Sequence, residues 1–438
     1  MSKIDELIAE LCPNGVEYKS FFDIADYVRG VTYGKDDEIK DKSSEGIPVL
    51  RANNITLGKN SLNFEEIKYI NKTVKIKETQ FLCKGDIFIC AGSGSKEHIG
   101  KVAYINSDMK YAFGGFMAVI RMKNNDVLSR FMFHNLTSQR FREYIRFAIA
   151  SSTINNLNAK VIENFKIPVP PLEVQREIVR ILDNFTMLTT ELTTELAKRK
   201  KQYEYYRDEL LSFDEDIPKE KLGELGKFYG GLSGKSKEDF KDGNATLITY
   251  KNVYSNIALK LDIDDRVKIS EGEKQNTVQY GDVLFTGSSE TPDECGMSSV
   301  LTTKTDEKLY LNSFCFGYRF NDPELFLPDF TKYLFRSKNL RSQLIRTASG
   351  VTRFNVSKKK MEDVKIPVPP LKIQKRLVNV LDNFETFCSD FNIGLPAEID
   401  ARKKQYEYYR DLLLTFVETG TVSTDNRQQT TDNRQQTR

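Results

Sequence analysis

Histidine is almost absent from this sequence: 438 residues contain only His98 and His134. Cysteine occurs six times, at 12, 83, 90, 295, 315 and 388, with no C-x-x-C pair. Structural zinc sites take closely spaced ligands from these two residue types, so no zinc site is expected and the cysteines read as reduced thiols packed like small apolar groups. The two histidines also sit in no common motif context, which argues against a histidine acid–base site. No run of about 18 apolar residues is present, so no segment reads as a membrane span. The opening MSKIDELIAELC carries acids and periodic leucines, a helix pattern and not a secretion signal, and a cytoplasmic location is expected.

What is there fits an ordinary soluble protein of two or three domains: 39% apolar and 29% charged residues. The net charge of +3 says nothing about partners. Basic clusters are local, KRKK at 198–201, KKK at 358–360 and RKK at 402–404, and each reads either as a solvated face or as a contact.

The dominant feature is duplication. KIPVPPLEVQREIVRILDNF at 166–185 returns as KIPVPPLKIQKRLVNVLDNF at 365–384, and KKQYEYYRDELL at 200–211 returns as KKQYEYYRDLLL at 403–414. Upstream the likeness is faint, carried by Gly85-Asp86 against Gly281-Asp282, Ser138 and Arg142 against Ser337 and Arg341, and Gly34-Lys35 against Gly234-Lys235. IDELIAEL at 4–11 resembles RDELLSF at 207–213, so the repeat is circular and its first and last segments are expected to meet.

The expected organisation is an N-terminal helical segment (1–20), a divergent unit (21–165), a helix (166–215), a second divergent unit (216–364), a second helix (365–418) and a disordered polar tail (419–438). Short β-type runs such as DIFIC, VAYI, MAVIRM, DVLF and FGYRF, with turn signals and a late helix, make the divergent units α+β or α/β. The PVPP segments stop a strand and set up a helix start. In the helices Val174, Ile181 and Leu188 recur every seven residues with Ile178, Phe185 and Leu192 between them. The second copy gives Ile373, Val380 and Phe387 with Leu377, Phe384 and Phe391. This pattern predicts two long antiparallel helices burying their seams against each other as a coiled coil, about 58 Å long for 173–211 at ~1.5 Å per residue. Pro396 should break the second helix.

Catalytic signatures are near misses. GGLSGKS at 230–236 is one residue short of a phosphate-binding loop, and GVTYGKD at 30–36 lacks the following Ser/Thr. VPPL lacks the polar first residue and aromatic last residue of an amino-methyltransferase N-P-P-[FY] motif, and no glycine-rich AdoMet loop follows a strand. The chain is therefore expected to catalyse nothing by itself.

Two divergent units joined by two near-identical helices in a circular repeat resemble the specificity subunits of type I restriction–modification enzymes, over residues 1 to about 418. The resemblance rests on the paired KIPVPPL…LDNF and KKQYEYYRDxLL segments, the GD[IV] strand starts and the opening segment. It implies two target-recognition domains, each reading half of a split double-stranded DNA site. It also implies helices that set the spacing and dock two methyltransferase subunits, with motor/endonuclease subunits completing the complex. AdoMet, ATP and Mg would then belong to those partners, and none to this chain. The word TTEL, written twice as Thr189, Thr190, Glu191, Leu192 and Thr193, Thr194, Glu195, Leu196, is implied to act as a ruler for the unread gap; otherwise it is helix filler.

Polar loops at matched places are the candidate DNA contacts. They are Arg51, Asn53 and Asn54 against Tyr250, Lys251 and Asn252; Ser93, Ser95 and Lys96 against Ser288 and Ser289; and Thr153, Asn155 and Asn156 against Thr352, Arg353 and Asn355, with Lys235 added. Arginine and lysine suit guanine or phosphate, asparagine suits adenine; each is equally a loop or capping residue. Two other readings are a coiled-coil protein adaptor without DNA specificity, and the recognition half of a single-chain methylating nuclease, which the missing AdoMet motifs disfavour.

Overall fold

The computed structural model describes residues 3–39, 46–150, 156–389, 394–416 and 418. The expected tail 419–438, and Thr153, Asn155 and Phe391, lie outside the described residues. The chain divides into two compact units, one of residues 1–191 with 399–438, the other of residues 192–398. Each unit thus joins a divergent segment to helical pieces from both repeats.

Both units are built on the same antiparallel sheet. In the first, neighbouring strands are Ala25–Arg29, Met117–Met122, Ile87–Cys90 and Val102–Tyr104; in the second, Gly226–Gly230, Cys315–Phe320, Val283–Thr286 and Ser298–Val300. Side chains alternate across a strand, and here both faces are covered. Ile87 and Ile89 join the cluster under the helices Ser129–Thr137 and Gln139–Ala150, while Phe88 and Cys90 join a second cluster with Leu50 and Phe113. Val283 and Phe285 against Leu284 repeat this arrangement. A second four-stranded sheet follows in each unit, with one parallel pairing: Ala112–Phe113 with Ile47–Leu50, and Leu309–Leu311 with Ala245–Ile248.

The GD pairs owe their presence to this sheet. Gly85 and Gly281 turn at φ 89° and 87°, a region that glycine enters without steric cost. Asp86 and Asp282, both 1% exposed, then form two-pronged pairs with Arg121 (2.8 and 2.7 Å) and Arg319 (2.8 and 2.6 Å).

The central helix runs unbroken over Leu172–Leu210, as its spacing predicts. The second helix is interrupted: Leu371–Ser389 is followed by Leu395–Leu413, with Pro396 in the first turn of the latter, where proline is tolerated. The packing within each unit sets which helix segments meet. In the first unit the start of the central helix packs beside the C-terminal helix, with Phe185 stacked on Tyr409 at 5.5 Å. In the second, the helix Leu371–Ser389 packs beside residues 203–211, with Phe384 stacked on Tyr206 at 5.9 Å. Each helix start therefore meets the end of the other repeat.

The register differs too. Buried positions are Val174, Ile178 and Leu182 in one copy and Leu377, Val378 and Leu381 in the other. Ile181, Phe185, Leu192 and Phe384 are half-buried, whereas Leu188, Ile373, Val380 and Phe387 are exposed. The physical reason is that the first turns bury themselves against the globular sheet of their own unit, rotating the buried stripe by about one position.

A glutamine in each helix locks this docking. Gln175 is fully buried; its Nε2 donates to the carbonyls of Pro170 and Asp126 (2.8 Å each), and its Oε1 accepts from the Leu128 amide (2.9 Å). Gln374 repeats the set with Pro369, Leu325 and Leu327. The repeated aspartates act at the helix ends. Asp411 accepts the Gln139 amide at the start of Gln139–Ala150, and Asp208 accepts the Lys338 amide at the start of Lys338–Arg346, each at 2.9 Å, where a carboxylate is favoured by the helix dipole. The expected meeting of first and last segments is present as well: the Tyr18 hydroxyl donates to the Phe416 carbonyl (2.9 Å), and Val16 bridges to Glu418.

Where the second unit has Tyr333 against Asp382, the first has His134, fully buried between Asp183 (2.9 Å) and the Tyr406 hydroxyl (3.2 Å). Burial lowers its pKa from the ordinary 6.5, outweighing the hydrogen bond to Asp183, which raises it. The folded chain then binds this proton less readily than the unfolded chain, so the stability it confers is full above pH 6.5 and declines as pH falls below it. Urea unfolding at pH 7.5 and 5.5 should show a larger acid loss for wild type than for His134→Gln; equal losses would count against this origin.

Candidate nucleic-acid interface

In each unit the loops that leave one end of the central sheet converge. In the first, the loop after Ile87–Cys90 is fixed from two sides. The amides of Ala91 and Gly92 both donate to the Phe116 carbonyl (2.9 Å), and Gly92 bridges to Asn156. Ser93 is half-buried and its Oγ accepts the Ser95 amide (3.2 Å), leaving Ser95 and Lys96 exposed. Arg29 ties the neighbouring loops together, donating to Asn156 Oδ1 (3.2 Å) and to the Gly115 carbonyl (2.8 Å).

The second unit assembles the matching loops more closely. Ser288 and Ser289 pair with Asn355 and Phe354 in a small sheet. Tyr250 donates its hydroxyl to the Ser288 carbonyl (2.9 Å), and the Arg353 Nε donates to Ser288 Oγ (3.2 Å). Lys251, Thr352, Arg353 and Asn355 are exposed; Ser289 Oγ donates to Glu294 (3.1 Å). Lys358, Lys359 and Lys360 are exposed on the following turn, which supplies positive charge of the kind phosphate contact requires.

Four of the candidate residues are occupied by the protein itself. Asn54 is fully buried, its Oδ1 accepting the Arg51 amide (2.8 Å) and its Nδ2 donating to the Asn63 and Glu66 carbonyls (3.1 Å each). Asn252, 6% exposed, closes its own loop through both Lys260 backbone groups. Both asparagines hold turns and offer no free edge to adenine. Lys235 is paired with Glu273 (2.6 Å), whose carboxyl it draws down to about 2. Asn53 donates to Glu66 (2.9 Å), and Arg51, half-buried, keeps a buried Nε with no protein partner. The convergent surface is thus Ser95, Lys96 and Asn156 in one unit and Lys251, Ser289, Thr352, Arg353 and Asn355 in the other.

The sequence reading passed over Phe116 and Phe314. They occupy equivalent places, one residue before the strands Met117–Met122 and Cys315–Phe320, and are 75% and 57% exposed. Nothing in a phenylalanine's sequence context separates it from the core aromatics around it. Gln175 and Gln374 were also missed, although PPLEVQ and PPLKIQ carry the signal. Among the described residues, no three metal-ligating side chains gather at a point and no helix is long and apolar enough to cross a membrane.

Comparison with known proteins gives a consistent result. The family model for the type I restriction modification DNA specificity domain matches twice, at residues 13–200 and 215–401. A type I restriction enzyme specificity subunit of Escherichia coli is 34% identical over 337 residues, spanning 73% of this chain and 79% of its own. A putative type I restriction enzyme specificity subunit of Haemophilus influenzae is 32% identical over 332 residues, spanning 72% and 81%. One solved structure, from work on complex assembly and conformational transition of the type I system, superposes with a TM-score of 0.61 at 16% identity. It covers 92% of this chain and 98% of its own, a likeness of fold.

Proposed function

This chain belongs to the type I restriction–modification DNA specificity family, and from that premise we propose that it reads an asymmetric, two-part DNA site, one half-site per unit. The observation that carries the reading is the loop convergence. The same end of the same sheet gathers polar, partly basic loops in both units, yet the side chains differ, so the two half-sites differ. The chain itself is a specificity subunit and not a catalyst. Methylation with AdoMet, and ATP- and Mg-dependent translocation and cleavage, fall to partner subunits. The two near-identical helical segments offer two equivalent docking surfaces, on which Tyr205 and Tyr408 stand 61% and 57% exposed, suited to two copies of one methyltransferase subunit. The central helix sets the unread gap.

Methylome sequencing of cells carrying this chain with its methyltransferase tests the reading. One bipartite motif with unlike halves, methylated on adenine in both strands, is expected; a single undivided motif or none overturns it. A protein-only adaptor would also lack the steep loss of duplex affinity with rising salt that phosphate contact imposes.

A further inference from the structure

We propose that Phe116 and Phe314 are specificity-determining residues, each making an apolar contact with a base in its own half-site; this rests on the reading above. Three observations support it. First, both rings stand in solvent at equivalent positions of two units whose surrounding sequence has diverged. Burying a phenylalanine is strongly favourable, so leaving one exposed forgoes that gain, and doing so twice at the same place points to a contact made later.

Second, the backbone beneath each ring is rigid. The Phe116 carbonyl accepts the Ala91 and Gly92 amides, and the Phe314 carbonyl accepts the Gly287 amide at 2.8 Å. A side chain at Gly287 would place its Cβ 2.8 Å from that carbonyl, so glycine is required for the approach. Asn312 Oδ1 in turn accepts the Phe314 amide (2.9 Å). The main chain that carries each ring is thus tied to its neighbours on both sides of the loop. Third, the surroundings suit nucleic acid. The Arg353 guanidinium lies 5.6 Å from the Phe314 ring centroid, and the neighbouring loops are the serine, asparagine and lysine segments already described. A rigid ring among donors and cations can meet a thymine methyl in the major groove or stack on an unstacked base.

The test uses the intact methyltransferase complex carrying Phe116→Ala, Phe314→Ala, or the corresponding leucine variants. The expected result for alanine is a motif relaxed at one position, in one half-site for Phe116 and in the other for Phe314. Preference at that position should drop about tenfold, as for loss of a single base contact. Leucine should restore part of the preference if a methyl is read and little of it if the ring stacks. Motif letters and cognate affinity unchanged in both alanine variants would overturn the proposal. So would weakened co-purification of the methyltransferase with the letters unchanged, since the rings would then face a protein. A wild-type complex without a bipartite motif would instead overturn the underlying reading, which keeps the two failures distinguishable.

Discussion

Deletion of Thr193–Leu196 is expected to shorten the unread gap between the half-sites by about one base pair and leave the letters of both unchanged. Four residues of α-helix carry about 6 Å of length and about 400° of rotation, a residual of ~40°. One base pair of B-DNA accounts for ~35° and ~3.4 Å, so the phase matches and the length overshoots. The helix is continuous through this word, and the deletion should spare its stability. Glu195 pairs with Arg199 at i,i+4 (2.7 Å), and excision brings Glu191 into the same relation to Arg199. Leu192 and Leu196, both half-buried, are likewise interchangeable one word apart. Excision of Thr193-Thr194 alone is the contrast: about 200° of rotation turns the apolar face away and should abolish methylation of any bipartite site. Methylome sequencing of both variants decides the matter. A changed half-site letter after the four-residue deletion, or an unchanged gap, would refute the ruler.

Replacing Gln175 by alanine should lower stability by about 3 kcal/mol, and Gln374→Ala by a similar amount. Each substitution strips a fully buried amide that satisfies one backbone N–H and two carbonyls, and leaves a void. Buried groups left unpaired cost about 1–3 kcal/mol each before relaxation, and lost packing adds to that. The two sites belong to different units and share no partner, so their effects should add. Arg176→Ala, one residue along on the exposed face, serves as control and should shift the urea midpoint little. A loss below about 0.5 kcal/mol for Gln175→Ala would mean that ordinary packing, and not this amide, fixes the helix on its sheet.

Much of the architecture was legible. The strands DIFIC, MAVIRM and FGYRF, the central helix and the interruption at Pro396 follow from local rules of period, branching and ring closure. Several of the candidate loops come together at one end of each central sheet, but some of the residues named in them are taken up by the protein itself. Asn54 and Asn252 look like adenine readers in a list of polar loop residues, because the same amide that pairs with a base also closes a turn. Lys235 is indistinguishable from a phosphate contact until Glu273, 38 residues away, is found beside it.

By itself the sequence determined that the chain is a circular duplication of two unlike units and two like helices, because identity and hydrophobic period survive without coordinates. Which helix segment meets which was decided only by tertiary packing. In the first unit Val174, Ile178 and Leu182, with Gln175 between them, are buried in the core of that unit. The end of the other repeat, led by Tyr406 and Tyr409, packs beside what remains.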